Sequence, residues 1–406
     1  MVPFRAGIGR HERAKRAATA ENSTMSGYRR THGNRDPGFR MANPQRILVI
    51  GPSWIGDMIM AQSLFMRLRA RLPHAQIDVL APRATGQLTT RMPEVNAAID
   101  LPIGHREFAL SARRRTAASL RERGYDQVIV LQRSVKAALV PWLAGIGQRT
   151  GYRGEMRYGL INDTRTLDKA RYPRKVEHYA LLGLAQDGDA LGELALPKLA
   201  IDHEQRDALV AEHALDTTRA AIGFAPGAAF GGAKQWPATH YARLAAELDA
   251  RGIAAWIFGS AADREPAAQI AAAAPKHGVN LCERTSLIDI ADIASLTRAV
   301  VGNDTGVMHL AAATAPRVLG LYGSTDPDYA PPLAPAEARF WLGLACSPCR
   351  ERQCPLGHTA CMRDIPVADV LRACIDPEAR DLGSLHHASD NTGATPIHPP
   401  AGSPPP

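Results

Sequence analysis

At three points in the chain a short apolar run ends at glycine and gives way to a helix-like pattern. RILVIG (46–51) leads into GPSWIGD (51–57), AIGFA (221–225) into PGAAFGGAKQWP (226–237), and AVVG (299–302) into GNDTGVMH (302–309). Runs this short and continuously apolar read as strands covered on both faces, and parallel sheets are the usual source of such strands. Further runs at QIDVLA (76–81), QVIVL (127–131), AAWIFG (254–259) and RVLGLY (317–322) extend the series. Between them, 58–72 carries Ala61, Leu64, Phe65, Leu68 and Leu72 at helical spacing, and 241–251 does the same. Strand, loop and helix in alternation predict an α/β fold with a parallel sheet covered on both sides, doubly wound in the Rossmann manner.

The pattern thins between residues 183 and 218 and then restarts. With 406 residues the chain is long enough for two domains. The expected divisions are a first Rossmann-like domain at 45–185, a linker region at 186–218 and a second Rossmann-like domain at 219–376. A leader at 1–44 and a Pro-, Gly- and Ser-rich tail at 377–406 are expected to be disordered. The formal charge is +8, yet residues 1–45 hold nine Lys and Arg against three acidic side chains, so the rest of the chain is close to balanced. A basic leader suits nucleic acid or anionic lipid; it also suits an extension that precedes a natural start at Met41. No apolar run reaches the ~18 residues a membrane span needs, and no apolar stretch follows the basic N-terminus as a secretory signal would require. A cytoplasmic location is expected.

The loops carry the chemistry. Glycines at 51 and 56 let backbone approach a ligand closely, but their spacing is not that of the dinucleotide fingerprint G-x-G-x-x-G. Asp57, in the first helical turn, reads either as a cap or as a general base for an acceptor hydroxyl. In the second loop Lys234 offers an ammonium among flexible backbone amides, a combination suited to phosphate; a solvated lysine on a mobile loop is the alternative. In the third loop Thr305 and Gly306 present amides at a helix start, and His309 falls one turn on, either structural or facing the ligand. Asp304 reads as a cap or as a partner for sugar hydroxyls. Two such helix starts in one half suggest a diphosphate held between them, with Lys234 beside it.

Cys346, Cys349, Cys354 and Cys361 form a cluster with His358 among them. Their number resembles a zinc or iron–sulfur framework, although the spacing is not that of two C-x2-C pairs; reduced thiols shaping a loop are the other reading. Cations dot the first half. Arg106, Arg113, Arg114, Arg115, Arg121 and Arg123 surround one helix-like stretch, and Lys136, Arg153 and Arg157 lie near aromatic residues. Most such charges are solvated surface, and a subset would suit an acceptor bearing carboxylates or phosphates.

Together these segments resemble the heptosyltransferase family of inverting glycosyltransferases, over roughly residues 46–371. The resemblance rests on ILVIGPSWIGDM (47–58), RMPEVN (91–96), SVKAALVP (134–141), RTGYRGEMRYGL (149–160) and NDTGVMH (303–309). It implies a GT-B architecture: two Rossmann-like doubly wound domains facing a central cleft, an N-terminal one for the acceptor and a C-terminal one for the nucleotide sugar. It implies ADP-heptose as donor and heptosyl-Kdo2-lipid A as acceptor, with heptose transferred onto the first heptose of the lipopolysaccharide inner core. It further implies peripheral contact with the cytoplasmic face of the inner membrane, no nucleic-acid partner, and no required metal or cofactor. By the same likeness Asp57 corresponds to the general base, Lys234 to the phosphate-binding lysine, and Asp304, Thr305, Gly306 and His309 to the donor-binding motif. Asp263 is a candidate for the ribose hydroxyls, and Lys136, Arg153 and Arg157 are candidates for the acceptor. The family begins a few residues before its first strand, which supports Met41 as the start.

This chain departs from the family loop P-G-A-E-F-G-P-A-K-R-W-P by Ala229 for Glu, Gly232 for Pro and Gln235 for Arg, and has Arg133 where Asn is common. The alternatives are a family member adding the first or a later heptose, a nicotinamide-dependent oxidoreductase, which the missing G-x-G-x-x-G disfavours, and a zinc-dependent interaction protein built on the cysteine cluster.

Overall fold

The computed structural model describes residues 44–103 and 107–376. The basic leader (all but residue 44), Arg106 and the tail expected at 377–406 lie outside the described residues. Those described hold two parallel six-stranded sheets. The first contains β1 (Arg46–Ile50), β2 (Gln76–Ala81), β3 (Ala97–Asp100), β4 (Gln127–Val130), β5 (Gln148–Tyr152) and β6 (Asp163–Arg165) in the order β3-β2-β1-β4-β5-β6. The second contains β7 (Ala221–Ala225), β8 (Ala254–Ile257), β9 (Gly278–Asn280), β10 (Ala299–Asn303), β11 (Arg317–Leu321) and β12 (Ala336–Phe340) in the order β12-β11-β10-β7-β8-β9. Counted from its own first strand, each sheet runs 3-2-1-4-5-6, the doubly wound order whose switch point lies between strands 1 and 4. The switch points here are β1/β4 and β7/β10.

The central strands are apolar because both faces are covered. β4, β7, β8, β10 and β11 are buried along their whole length. The edge strands differ: β3 reads AAID and alternates between half-buried and exposed, and β6 (DTR) and β12 (AEARF) carry charge. These strands, with β5 and β9, were not among the seven apolar runs, because a strand with one wet face or only three residues leaves little apolar signal.

The helix Ile55–Arg71 is buried almost all round over its N-terminal half, from Met58 to Phe65. A helix apolar on every side belongs inside the molecule. It lies against the first sheet and also meets the helices Lys175–Leu181 and Gly306–Ala312, so a helix of the first half packs directly on a helix of the second. Each fully buried Leu or Phe along it, such as Leu64, Phe65 and Leu68, contributes about 1.5–3 kcal/mol.

The segment around residues 198–202 laces the halves together. Lys198 exchanges two hydrogen bonds with Gln62, its N–H donating to Oε1 (2.9 Å) and its carbonyl accepting from Nε2 (2.7 Å). Leu199 N–H donates to the Ala313 carbonyl (3.1 Å) and Ala200 N–H to the Arg91 carbonyl (2.8 Å). Arg91 in turn pairs with the buried Asp292 of the second half at 2.8 Å. Among the described residues no helix is long and apolar enough to cross a membrane.

Candidate active site

In a doubly wound sheet ligands bind beyond the carboxyl ends of the strands, at the switch point. Every loop singled out in the sequence leaves from such an end. The Asp57 loop follows β1, the Lys234 loop β7, the Asp304 loop β10 and Asp263 follows β8. The helix after β1 begins at Ile55, so Asp57 sits in its first turn.

The two switch points touch. A methyl group built on Gly56 would lie 2.6 Å from Cδ2 of His309, and one on Gly306 would lie 2.7 Å from Cβ of Ile55. The start of one helix is therefore pressed against the start of the other, and each contact needs glycine for lack of space.

On the second-half side Lys234 Nζ donates to Asp304 Oδ2 at 2.6 Å, and His309 Nε2 lies 3.3 Å from Asp304 Oδ1. All three side chains are nearly buried. Burial opposes ionisation of Asp304, but the His309 hydrogen bond and the Lys234 ammonium outweigh it and hold the carboxyl well below the usual carboxylate range. The Lys234 loop and the Asp304 loop meet here, with Lys234 in an ion pair rather than solvated. Phe230 carries the ammonium 5.0 Å from its ring centroid. Asn303, fully buried, straps the loops: its Nδ2 donates to the Pro226 carbonyl (2.7 Å), and its Oδ1 accepts from Trp236 N–H (3.1 Å) and the Tyr241 hydroxyl (3.2 Å). Thr305 is the N-cap residue of Gly306–Ala312. Asp263 lies beside the same loop, its Oδ1 2.7 Å from where a Gly227 methyl would be, while its Oδ2 accepts from Ser260 N–H and Oγ at 2.9 Å each.

On the first-half side Asp57 Oδ1 is 2.6 Å from Lys175 Nζ. The buried Tyr179 lies near the same carboxylate; its burial, with the Asp57 charge, raises the phenol well above its ordinary value. Both residues come from the helix Lys175–Leu181, one turn apart, which packs on Ile55–Arg71. That helix is set by Glu177, whose carboxylate accepts from Arg174 N–H (2.8 Å) and holds the Arg174 guanidinium (2.9 Å). Neither Lys175 nor Tyr179 was singled out from the sequence. Their spacing of four was the available signal, but nothing local says what that face meets.

The three acceptor candidates separate. Arg153 is exposed, and Lys136 is half-buried in the first turn of the helix Val135–Leu143. Arg157 corrects the expectation: it is 4% exposed, and its guanidinium donates to the Gln132 carbonyl (2.7 Å) and the Tyr152 carbonyl. Burial, reinforced by Arg133, pulls it down to about 10. It ties the loop after β4 to the end of β5, with its guanidinium taken up by these carbonyls.

The four clustered cysteines and His358 line a cavity of about 10 Å³, room for one water-sized sphere, and Ala233 of the Lys234 loop is part of its wall. Among the described residues no three His, Cys, Asp or Glu side chains are arranged to hold a metal ion, and all six cysteines are free thiols. Backbone N–H groups, that of Thr359 foremost, lower the Cys354 thiol, whereas burial pushes Cys361 up to about 11. The cysteine loop also shapes its neighbour. The Arg352 carbonyl accepts from Ala233 N–H (3.1 Å) and would lie 2.3 Å from a Gly231 methyl, and Gly231 has φ +154°.

Two doubly wound sheets whose switch-point loops meet over a carboxylate from one half and a lysine–aspartate–histidine set from the other make up the two-domain architecture of the GT-B fold. Residues 113–360 match the family model described as glycosyltransferase family 9 (heptosyltransferase), and the chain belongs to that family. It is 45% identical over 298 residues to lipopolysaccharide heptosyltransferase 2 of Salmonella typhimurium, an alignment covering 71% of this chain and 86% of that protein. The protein of that name in Escherichia coli aligns with the same identity and coverage. Among solved structures, the E. coli ADP-heptose LPS heptosyltransferase II matches with a TM-score of 0.71 and 40% identity over 80% of this chain and 96% of that one.

Proposed function

We propose that the chain transfers L-glycero-D-manno-heptose, with inversion, from ADP-heptose to the first heptose of heptosyl-Kdo2-lipid A. The observation that carries this reading is the contact of the two switch points, which sets Asp57 across from the Lys234–Asp304–His309 group. The names of the relatives above, with 45% identity over most of each chain, support the donor and the acceptor.

In this mechanism the acceptor oxygen attacks the anomeric carbon from the face opposite ADP. Its O–H bond breaks as the new C–O bond forms, and Asp57 receives the proton. The bond from the anomeric carbon to the diphosphate breaks, and ADP departs with the electron pair. Lys234 and the backbone amides at Thr305 and Gly306 stabilise the charge that develops there, as preorganised donors do in a site closed to water. Asp304 keeps Lys234 in place, and His309 helps keep Asp304 ionised. Asp263 serves the ribose hydroxyls. No metal or cofactor takes part in this scheme.

Contact with the inner membrane's cytoplasmic face belongs to the same proposal. Exposed Trp54, Phe108, Met156 and Tyr158 stand on loops that leave the carboxyl ends of β1, β3 and β5. Exposed Arg114, Arg115, Arg133 and Arg153 lie on the segments after β3, β4 and β5. Apolar tips among arginines on one sheet edge suit an acceptor with anionic sugars and acyl chains.

The test offers purified protein ADP-heptose with either Kdo2-lipid A or heptosyl-Kdo2-lipid A. ADP release and a product one heptose heavier with the second acceptor alone are expected. Turnover with the first acceptor alone would overturn the proposed acceptor.

A further inference from the structure

Asp57 does not stand alone at its switch point. Lys175 Nζ lies 2.6 Å from its Oδ1, and the buried Tyr179 stands near the same carboxylate, one helical turn further on. The helix carrying both is anchored at its start, where Lys175 N–H donates to the Tyr329 carbonyl at 2.8 Å. Both members of the ion pair are largely covered, with side-chain exposures of 28% for Lys175 and 16% for Asp57. Asp304, from the second half, also acts on the Lys175 ammonium. The charged and titratable groups around Asp57 are thus Lys175 and Tyr179 on one helix, Asp304 and His309 from the loop after β10 and its helix, Tyr329 from the loop after β11, and Lys234 beyond Asp304.

We propose that Lys175 is a positioning residue for the transfer, its ammonium the counter-charge that keeps the Asp57 carboxylate turned to the acceptor oxygen, with the buried Tyr179 beside the pair. The proposal rests on Asp57 being the base. A carboxylate turned away from the acceptor oxygen takes no proton from it, so the cation in contact with Asp57 sets how much of the enzyme is ready. Burial works against the Lys175 charge, but Asp57, with Tyr329 and Asp304, more than offsets this and holds the ammonium above the ordinary lysine value. The counter-ion therefore stays charged throughout the range in which the base must act. Its partner is the base rather than the diphosphate, whose cation is Lys234 on the opposite side of the cleft.

The test compares Lys175→Met, Lys175→Arg, Tyr179→Phe and Asp57→Asn in the full-length protein, reading ADP affinity by calorimetry and turnover as a function of pH. For Lys175→Met, turnover at neutral pH falls by about 100-fold, within the range general-base catalysis supplies. The acid limb of its pH–rate profile moves to higher pH, activity returns in alkaline buffer, and ADP affinity stays within about twofold. Lys175→Arg keeps the wild-type limb at reduced rate, which shows that a charge rather than a fold was lost. Tyr179→Phe lowers the rate with a smaller displacement. A Lys175→Met profile parallel to wild type at every pH, or a loss of ADP affinity of about tenfold, overturns the proposal. Asp57→Asn separates the two layers. If it remains active, the base itself is misassigned; if it is inactive and Lys175→Met shows an undisplaced profile, only the role of Lys175 fails.

Discussion

Gly56 lies against the imidazole of His309 so closely that a methyl group at position 56 would be 2.6 Å from Cδ2. This contact sets the distance between the carboxylate of one half and the donor-side loop of the other. Gly56→Ala forces the two helix starts apart. We expect turnover to fall by about 100-fold, since displacement of about 1 Å has that effect on reacting groups, with a stability loss of about 1–3 kcal/mol. Steady-state kinetics with denaturant melts on the same variant test this; unchanged turnover would mean that the contact does not set the reacting geometry.

Lys234 has two duties that one variant can separate by pH. Asp304 is held well below its ordinary range in the folded protein, so it favours folding above the unfolded aspartate value, and this contribution is lost as pH falls through the folded one. In Lys234→Met the contribution of the Lys234 charge disappears, and acid unfolding begins at higher pH than in wild type. Turnover at neutral pH falls by about 10²–10³-fold, the usual effect of losing one donor to a developing oxyanion. An unchanged acid transition would show that the ion pair does not hold Asp304 ionised.

Arg153 and Arg157 sit four residues apart and should respond oppositely. Arg157→Ala leaves the carbonyls of Gln132 and Tyr152 without their donor in a buried loop. It should cost about 2–3 kcal/mol, as hydrogen bonds to charged groups do. Arg153→Ala, on an exposed side chain, should change stability by under about 0.5 kcal/mol and act, if anywhere, on acceptor KM. Urea midpoints of the two variants decide it.

The sequence made the switch points legible because parallel strands must be apolar on both faces, and RILVI, QVIV, AIGFA and AVVGN are apolar in all but one terminal residue or throughout. Asp57, Lys234 and Asp304 could be found there because a ligand site in this architecture lies where such strands end. The edge strands Asp163–Arg165 and Gly278–Asn280 were not legible: three residues with polar faces carry too little pattern. Lys175 and Tyr179 were missed because their partner is far away in the chain and is met only when one helix packs on another. Arg157 misled because an arginine beside aromatic residues looks like surface, whereas two carbonyls of neighbouring loops capture it inside.

Transfer turns on Asp57 above all, and Asp57→Asn tests that role with almost no change in shape. ADP-heptose affinity by calorimetry and single-turnover ADP release with heptosyl-Kdo2-lipid A should be measured on the same preparation. Binding within about twofold of wild type with transfer slowed by about 10²–10⁴-fold is the predicted result, the span a general base supplies. Transfer within about tenfold of wild type would contradict it and remove Asp57 from the reaction.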